Sequence, residues 1–153
     1  MESVSTNDIY FIVEGAVQPK ERPRFTSSGR IFTPRRTLEY EQRVKASYMT
    51  EYPYGVAFPE EAVEMVINIY VQVPQSYSKK RQDSMIMNEF PTRRPDLDNQ
   101  IKAIADALNG VAYTDDKQVV SIKVNKMWSE SNKAEITIRK KEARFLYGSL
   151  RKN

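Results

Sequence analysis

The stretch RRPDLDNQIKAIADALNG at residues 93–110 places two carboxylates, Asp96 and Asp98, two positions apart behind Pro95, with Lys102 four positions beyond the second. The chain has no histidine and no cysteine. Imidazole bases, thiolate nucleophiles, disulfides and His- or Cys-ligated metals are therefore excluded. Polar chemistry falls to Asp, Glu, Lys, Arg, Tyr, Ser or a bound hard cation. Two carboxylates held close repel each other unless they share a proton or a cation lies between them. Mg²⁺ is the simplest such cation, with Mn²⁺ as a substitute, because it takes oxygen ligands, keeps several waters and needs only one or two carboxylates beside a substrate phosphate. A further pair, Asp115-Asp116, precedes the apolar run QVVSIKV. If that run starts beside Asp98, Asp116 closes a metal-binding set of Asp96, Asp98 and Asp116, and Lys102 adds a cation to the same space.

These side chains need a helix to hold them. The spacing predicts one from Asp98 to Asn109, stopped by Gly110 in the left-handed position that glycine favours. At 100° per residue, Leu97, Ile101, Ile104, Ala105 and Leu108 form an apolar arc, with Asp98, Lys102 and Asp106 in a stripe beside it. Asp96 falls in the extended segment around Pro95. Plainer roles compete for each residue: an N-cap for Asp96 or Asp98, a turn for Asp115 and Asp116, an i, i+4 partner of Asp98 and Asp106 for Lys102. An isolated D-x-D is a weak signal. The joint pattern R-P-D-L-D-N-x-x-K-x-x-x-D-A-L-N-G-x-x-x-x-D-D-x-Q-V-V is required by no cap or turn rule.

Around this helix the period-two runs predict strands at 9–17, 62–73 and 118–128, with 129–133 turning into a last strand at 134–140 that pairs with its predecessor as a hairpin. Thr33-Pro34 opens a helix in which Tyr40, Val44 and Tyr48 recur at i, i+4, i+8. SKKRQDSMIM at 78–87 has the composition of a short helix within the aperiodic 75–94 stretch. The order β-α-β-α-β-β indicates an α+β fold: two layers, with helices packed on one mixed sheet.

At 153 residues the chain reads as one domain, 1–153. No apolar run approaches the ~20 residues that cross a bilayer and no basic segment opens the chain, so a cytoplasmic, non-membrane protein is expected. Its charge of +4 is concentrated: residues 20–45 hold eight Lys/Arg against three Glu, which suits a polyanion. In the basic loop 18–36, Arg22, Arg24, Arg30, Arg35 and Arg36 interleave with Phe25 and Phe32. The arginines are candidate DNA contacts, and the two rings either wedge between bases or pack on the core. Lys79, Lys80 and Arg81 form a second candidate phosphate patch, with solvated charge as the alternative. Residues 144–153 read as a tail docking Phe145 and Tyr147.

PDLDNQIKAIADALNG followed by VAYTDDKQVV resembles the RusA family of Holliday junction resolvases, and the likeness extends to RPRFTSSGRIFTPRRTLEYE upstream and SIKVNKMW downstream. The resemblance implies a homodimeric, Mg²⁺-dependent endonuclease that nicks four-way DNA junctions symmetrically in recombination and repair. Carried over residue by residue, it implies Asp96, Asp98 and Asp116 as metal-holding catalytic residues, Lys102 as a catalytic lysine, and Asp106 and Asp115 in support. The long 75–94 stretch and the extended 20–36 loop resemble phage and Gram-positive members rather than the shorter enterobacterial form. Phosphodiester hydrolysis by carboxylate-held metal ions needs no histidine. Three competitors are weighed against it. A nucleotide-sugar transferase also uses D-x-D, but it leaves the basic loop unexplained. A non-catalytic DNA-binding module would show a broken acidic set. A metal-dependent nuclease for other branched or duplex DNA would share the same centre.

Overall fold

The computed structural model describes residues 8–142; the expected tail contacts of Phe145 and Tyr147 lie outside them. Four strands form the main sheet in the order β1-β6-β4-β5: β1 (Ile9–Glu14), β4 (Val63–Gln72), β5 (Val119–Ser129) and β6 (Lys133–Lys140). Between β1 and β4 come a two-stranded arm, β2 (Arg24–Phe25) and β3 (Ile31–Phe32), and the helix α1 (Arg35–Glu51). Between β4 and β5 lie α2 (Lys79–Asn88), α3 (Leu97–Leu108) and a 3₁₀ turn (Asp116–Gln118). This is the expected α+β architecture with one mixed sheet.

One expectation fails. The last two strands do not pair with each other: β4 lies between them, parallel to β5 and antiparallel to β6. The physical reason is burial. Val63, Met65, Ile67 and Ile69 of β4 are at most 1% exposed, and a strand so enclosed is satisfied only with a hydrogen-bonded ladder on each side. β5 carries exposed Val120 and Ile122 and tolerates the edge. The connection from β5 to β6 passes over the end of β4, where Ser129 O accepts from Val73 N at 3.0 Å and Asn132 Oδ1 from Gln72 N at 2.8 Å.

Alternation in β1, β4 and β6 sends Phe11, Val13, Met65, Ile67, Ile136 and Ile138 into one core with Tyr40, Val44 and Tyr48 of α1 and Ala103, Ile104, Ala107 and Leu108 of α3. The predicted arc of α3 is thus rotated. Ala105 and Ile101 are only half-buried, whereas Gln100, polar and expected outside, is 2% exposed and donates to Val17 O at 3.4 Å. Gly110 closes the helix at φ +76°, as its lack of a Cβ allows. Helix α2 is capped by Ser78, whose Oγ accepts from Arg81 N, and it packs Met85 against Val73 and Trp128 in a second small core. Among the described residues no helix is long and apolar enough to cross a membrane.

Candidate functional site

The segment leading into α3 is docked on β5. Lys126 donates from Nζ to Arg93 O at 2.8 Å and Pro95 O at 3.0 Å, and the Arg93 guanidinium lies 5.0 Å from the centre of the Trp128 ring. Asp96 follows at the N-cap position (φ −67°, ψ 145°), and its carbonyl accepts from Gln100 N at 3.2 Å. Its carboxylate makes no capping bond, so the cap role is filled in position and not in chemistry. Asp98 lies in the first turn, where the partial positive end of the helix favours anionic oxygen. Both carboxylates face solvent. The two therefore offer oxygen donors on an anchored backbone, the donor chemistry a hydrated Mg²⁺ takes alongside a phosphate.

Lys102 is exposed, and among the described residues it has no ion pair with Asp98 or Asp106. Asp106 is taken instead by Lys20 at 3.4 Å, and the same ammonium reaches Glu41 at 2.6 Å. Burial lowers the Lys20 pKa, but the bond to Glu41 and the charges of Glu41 and Asp106 outweigh it and hold the group above its ordinary value. Lys20 N also donates to Asn99 O at 3.0 Å. Lys20 thus ties the base of the basic loop to α1 through Glu41 and to α3 through Asp106 and Asn99.

The third carboxylate is elsewhere. Asp116 N donates to Asn109 Oδ1 at 3.0 Å, at the C-terminal end of α3. Eleven residues of helix separate Asp98 from Asn109, about 16 Å at 1.5 Å per residue. The condition under which Asp116 would close the set, a strand starting beside Asp98, does not hold within one chain: β5 begins at the far end of α3 and only its later residue Lys126 returns to Pro95. Among the described residues, no three acidic side chains come close enough to hold one ion. Asp115 caps the 3₁₀ turn, accepting from Lys117 N at 3.0 Å while Gln118 Oε1 accepts from Asp115 N at 2.9 Å. The Lys117 N–H bond, with help from the Asp116 side chain, holds the Asp115 carboxyl below its ordinary pKa. The turn role fits Asp115.

The basic loop is an arm. Its tip is closed by Thr26 N to Arg30 O at 2.8 Å and by Gly29 at φ +85°. Phe25, Ile31 and Phe32 are 71%, 65% and 45% exposed, so the rings do not pack on the core. Arg22, Arg24 and Arg30 are exposed, with Arg24 paired to Glu21 at 3.2 Å. Arg35 pairs with Glu39 at 3.1 Å. Arg36, in the first turn of α1, lines a cavity together with Arg94, Asp96 and Asn99, which brings the end of the basic loop to the Asp96 carboxylate. In the second patch Lys79 is paired with Asp83, Arg81 lies over the Tyr77 ring at 4.3 Å, and Lys80 is exposed.

Sequence reasoning missed Lys20, Asn109 and Lys126 as the anchors of this site. A signal existed for Lys126. It falls in phase with Ile122, Val124 and Trp128, so it interrupts the face of β5 turned to the helices, and a lysine there needs acceptors.

With the geometry in place, similarity to known proteins is informative. The family described as Endodeoxyribonuclease RusA matches residues 14–139. An uncharacterized protein YqaN of Bacillus subtilis is 40% identical over 84 residues, 53% of this chain and 59% of that protein. A crossover junction endodeoxyribonuclease rusA of Lactococcus phage r1t is 29% identical over 100 residues, 65% of this chain and 75% of that protein.

Proposed function

The chain belongs to the RusA endodeoxyribonuclease family, and from that premise we propose that it is a Mg²⁺-dependent endonuclease that resolves four-way DNA junctions by paired nicks in recombination and repair. The observation that carries this reading is the cavity shared by Arg36 and Arg94 with Asp96, which sets cations for a DNA backbone beside a carboxylate suited to a hard metal. Hydrolysis adds water across one P–O ester bond, leaving a phosphate on one fragment and a hydroxyl on the other. When bound, a divalent ion supplies an activated water and offsets charge on the phosphoryl oxygens. Asp96 and Asp98 would hold it, and Lys102, exposed one turn further on and facing solvent with them, would contact the scissile phosphate or its nucleophile. The arm arginines and the Lys79–Arg81 patch would track phosphates, and the exposed rings of Phe25 and Phe32 would enter the opened crossover.

Resolution into two intact duplexes needs matched nicks in two strands, and a C₂ homodimer supplies them with the commonest oligomeric symmetry. It also offers Asp116 a place in the metal set: the two ends of α3 are too far apart within one chain, so Asp116 of one copy would complete the pair of the other. Of the apolar residues that follow α1, Tyr54 and Val56 are exposed and open to a partner, whereas Phe58 is buried at 1% exposure. Tyr52 is spent on the β1 edge, where its hydroxyl bonds Tyr10 N and O. The edge strand β5, with exposed Val120 and Ile122, starts next to Asp116 and is the better surface.

The test is to incubate the protein with Mg²⁺ and end-labelled four-way junction, flap and linear duplex, mapping cuts on every strand. Symmetric cuts confined to the junction are expected. Preferred cutting of flap or duplex replaces the junction reading with the broader nuclease reading, and binding without cutting leaves a DNA-binding module.

A further inference from the structure

The cavity has a volume of ≈ 560 Å³ and is lined by Val17, Gln18, Pro19, Arg36, Arg94, Pro95, Asp96 and Asn99, with the exposed Ala16 beside them; the two arginines outnumber the one carboxylate. That volume is within the range of small-ligand sites, about 300–1,000 Å³. Both walls are fixed. On one side Gln100 Nε2 donates to Val17 O at 3.4 Å, and Lys20 is held through its N–H to Asn99 O and its ammonium to Glu41 and Asp106. On the other, Lys126 holds Pro95 and Arg93 by their carbonyls. A site whose walls are pinned by other elements is preorganised. α1 and α3 both start at it, and neither has a side-chain cap bond.

The lining has two parts. Arg36 and Arg94 suit a phosphate. Val17, Pro19 and Pro95 make an apolar wall for which a backbone phosphate has no use, and Gln18 and Asn99 add amides able to donate and accept. An apolar wall with amides beside it matches a nucleobase, whose faces are apolar and whose edge carries donors and acceptors. Resting on the nuclease reading, we propose that this cavity receives one nucleotide of the strand to be cut, turned out of the stack. Its phosphate lies by Arg36 and Arg94, its base against the prolines, and its edge is read by Gln18 and Asn99. The point of strand exchange is where a junction base leaves its stack at least cost, so the subsite sets which sequence at the exchange point is cut.

The probe is a four-way junction carrying 2-aminopurine at each position around the exchange point in turn, mixed with the full chain in EDTA so that no strand is cut. Binding is measured in the same samples by fluorescence anisotropy. The expected result is severalfold brightening at one position. In Ala16→Trp, which fills the cavity from an exposed position, brightening falls to that of the free junction although the anisotropy shows the junction still bound. With Mg²⁺, wild-type rates should vary about 5- to 150-fold with the base at that position, and Gln18→Ala should flatten the spread. A junction bound with no position brightened, or brightening and spread unchanged in both variants, overturns the subsite. A chain that binds none of the DNA forms overturns the nuclease reading beneath it.

Discussion

Lys126 holds Pro95: the ammonium of the edge strand donates to the proline carbonyl at 3.0 Å across 31 residues of sequence. The backbone immediately before Asp96 is thereby fixed from β5. Lys126→Met keeps the apolar stem and removes the donors. It should raise the Mg²⁺ concentration for half-maximal cutting by about 10- to 100-fold, the usual effect of losing an outer-shell partner. Lys126→Arg should recover part of the loss, and DNA binding in EDTA should stay close to wild type. An unchanged Mg²⁺ titration would make Lys126 a packing residue.

Asp96→Asn, Asp98→Asn and Asp116→Asn should each lower cleavage by more than about 100-fold, above the effect of outer-shell changes, while junction binding by gel shift persists. Lys102→Ala should do the same with its melting temperature retained, because the side chain has no ion pair to Asp98 or Asp106 to lose. Cutting near the wild-type rate in any variant removes that residue from the centre.

For the arm, Phe25→Ala and Phe32→Ala should change stability by no more than about 0.5 kcal/mol, since both rings are exposed and lie outside the buried core, yet reduce opening of the crossover read by fluorescence transfer between junction arms. Arg36→Ala should reduce the slope of log affinity against log salt by about 0.9, one phosphate contact. Arg35→Ala should do likewise, its surface pair with Glu39 being worth only about 0.2–1 kcal/mol. An arginine whose loss leaves the salt slope intact makes no phosphate contact.

The sheet face away from the helices carries a titrating cluster. Tyr70 and Tyr10 donate to Glu135 at 2.6 and 2.7 Å. The bond from Tyr70, then that from Tyr10, pulls the Glu135 pKa down, and its bond to Glu135 pushes that of Tyr70 up to about 12. A depressed carboxyl stabilises the fold above its unfolded pKa, so that contribution fades as pH falls from about 4.5. A raised phenol stabilises below its unfolded value near 10, and its contribution fades between there and about 12. Urea melts against pH should show both limbs, and Glu135→Gln should flatten both. Unaltered limbs would assign them to other groups.

Assembly is tested by sedimentation at micromolar concentration, which should report about twice 17.8 kDa for a C₂ dimer. If Asp116 completes the site across the interface, Asp98→Asn and Asp116→Asn chains, each inactive, should regain single-strand nicking when mixed. Without trans completion, mixing recovers no activity.

The sequence by itself determined the elements and the chemistry on offer. Tyr40, Val44 and Tyr48 announce α1, the alternation from Val63 to Ile69 announces β4, and Asp96, Asp98 and Lys102 stand in a pattern that secondary structure does not require. Tertiary structure decided who meets whom. Alternation reports that one face of a strand is buried, and it reads the same whichever strand lies beside it, so it could not tell that β4 separates β5 from β6. Periodicity likewise left the rotation of α3 open to the extent that Gln100, and not Ala105, turns inward. Asp116 stays at the Asn109 end of α3 because the short loop after the helix folds onto that end, with Ala112 N on Leu108 O and the Tyr113 hydroxyl on Ala105 O, a turn that the spacing of the carboxylates does not encode. The anchors Lys20 and Lys126 act on Asp106 and Pro95 through contacts far apart in sequence, and such contacts exist only after the layers have packed.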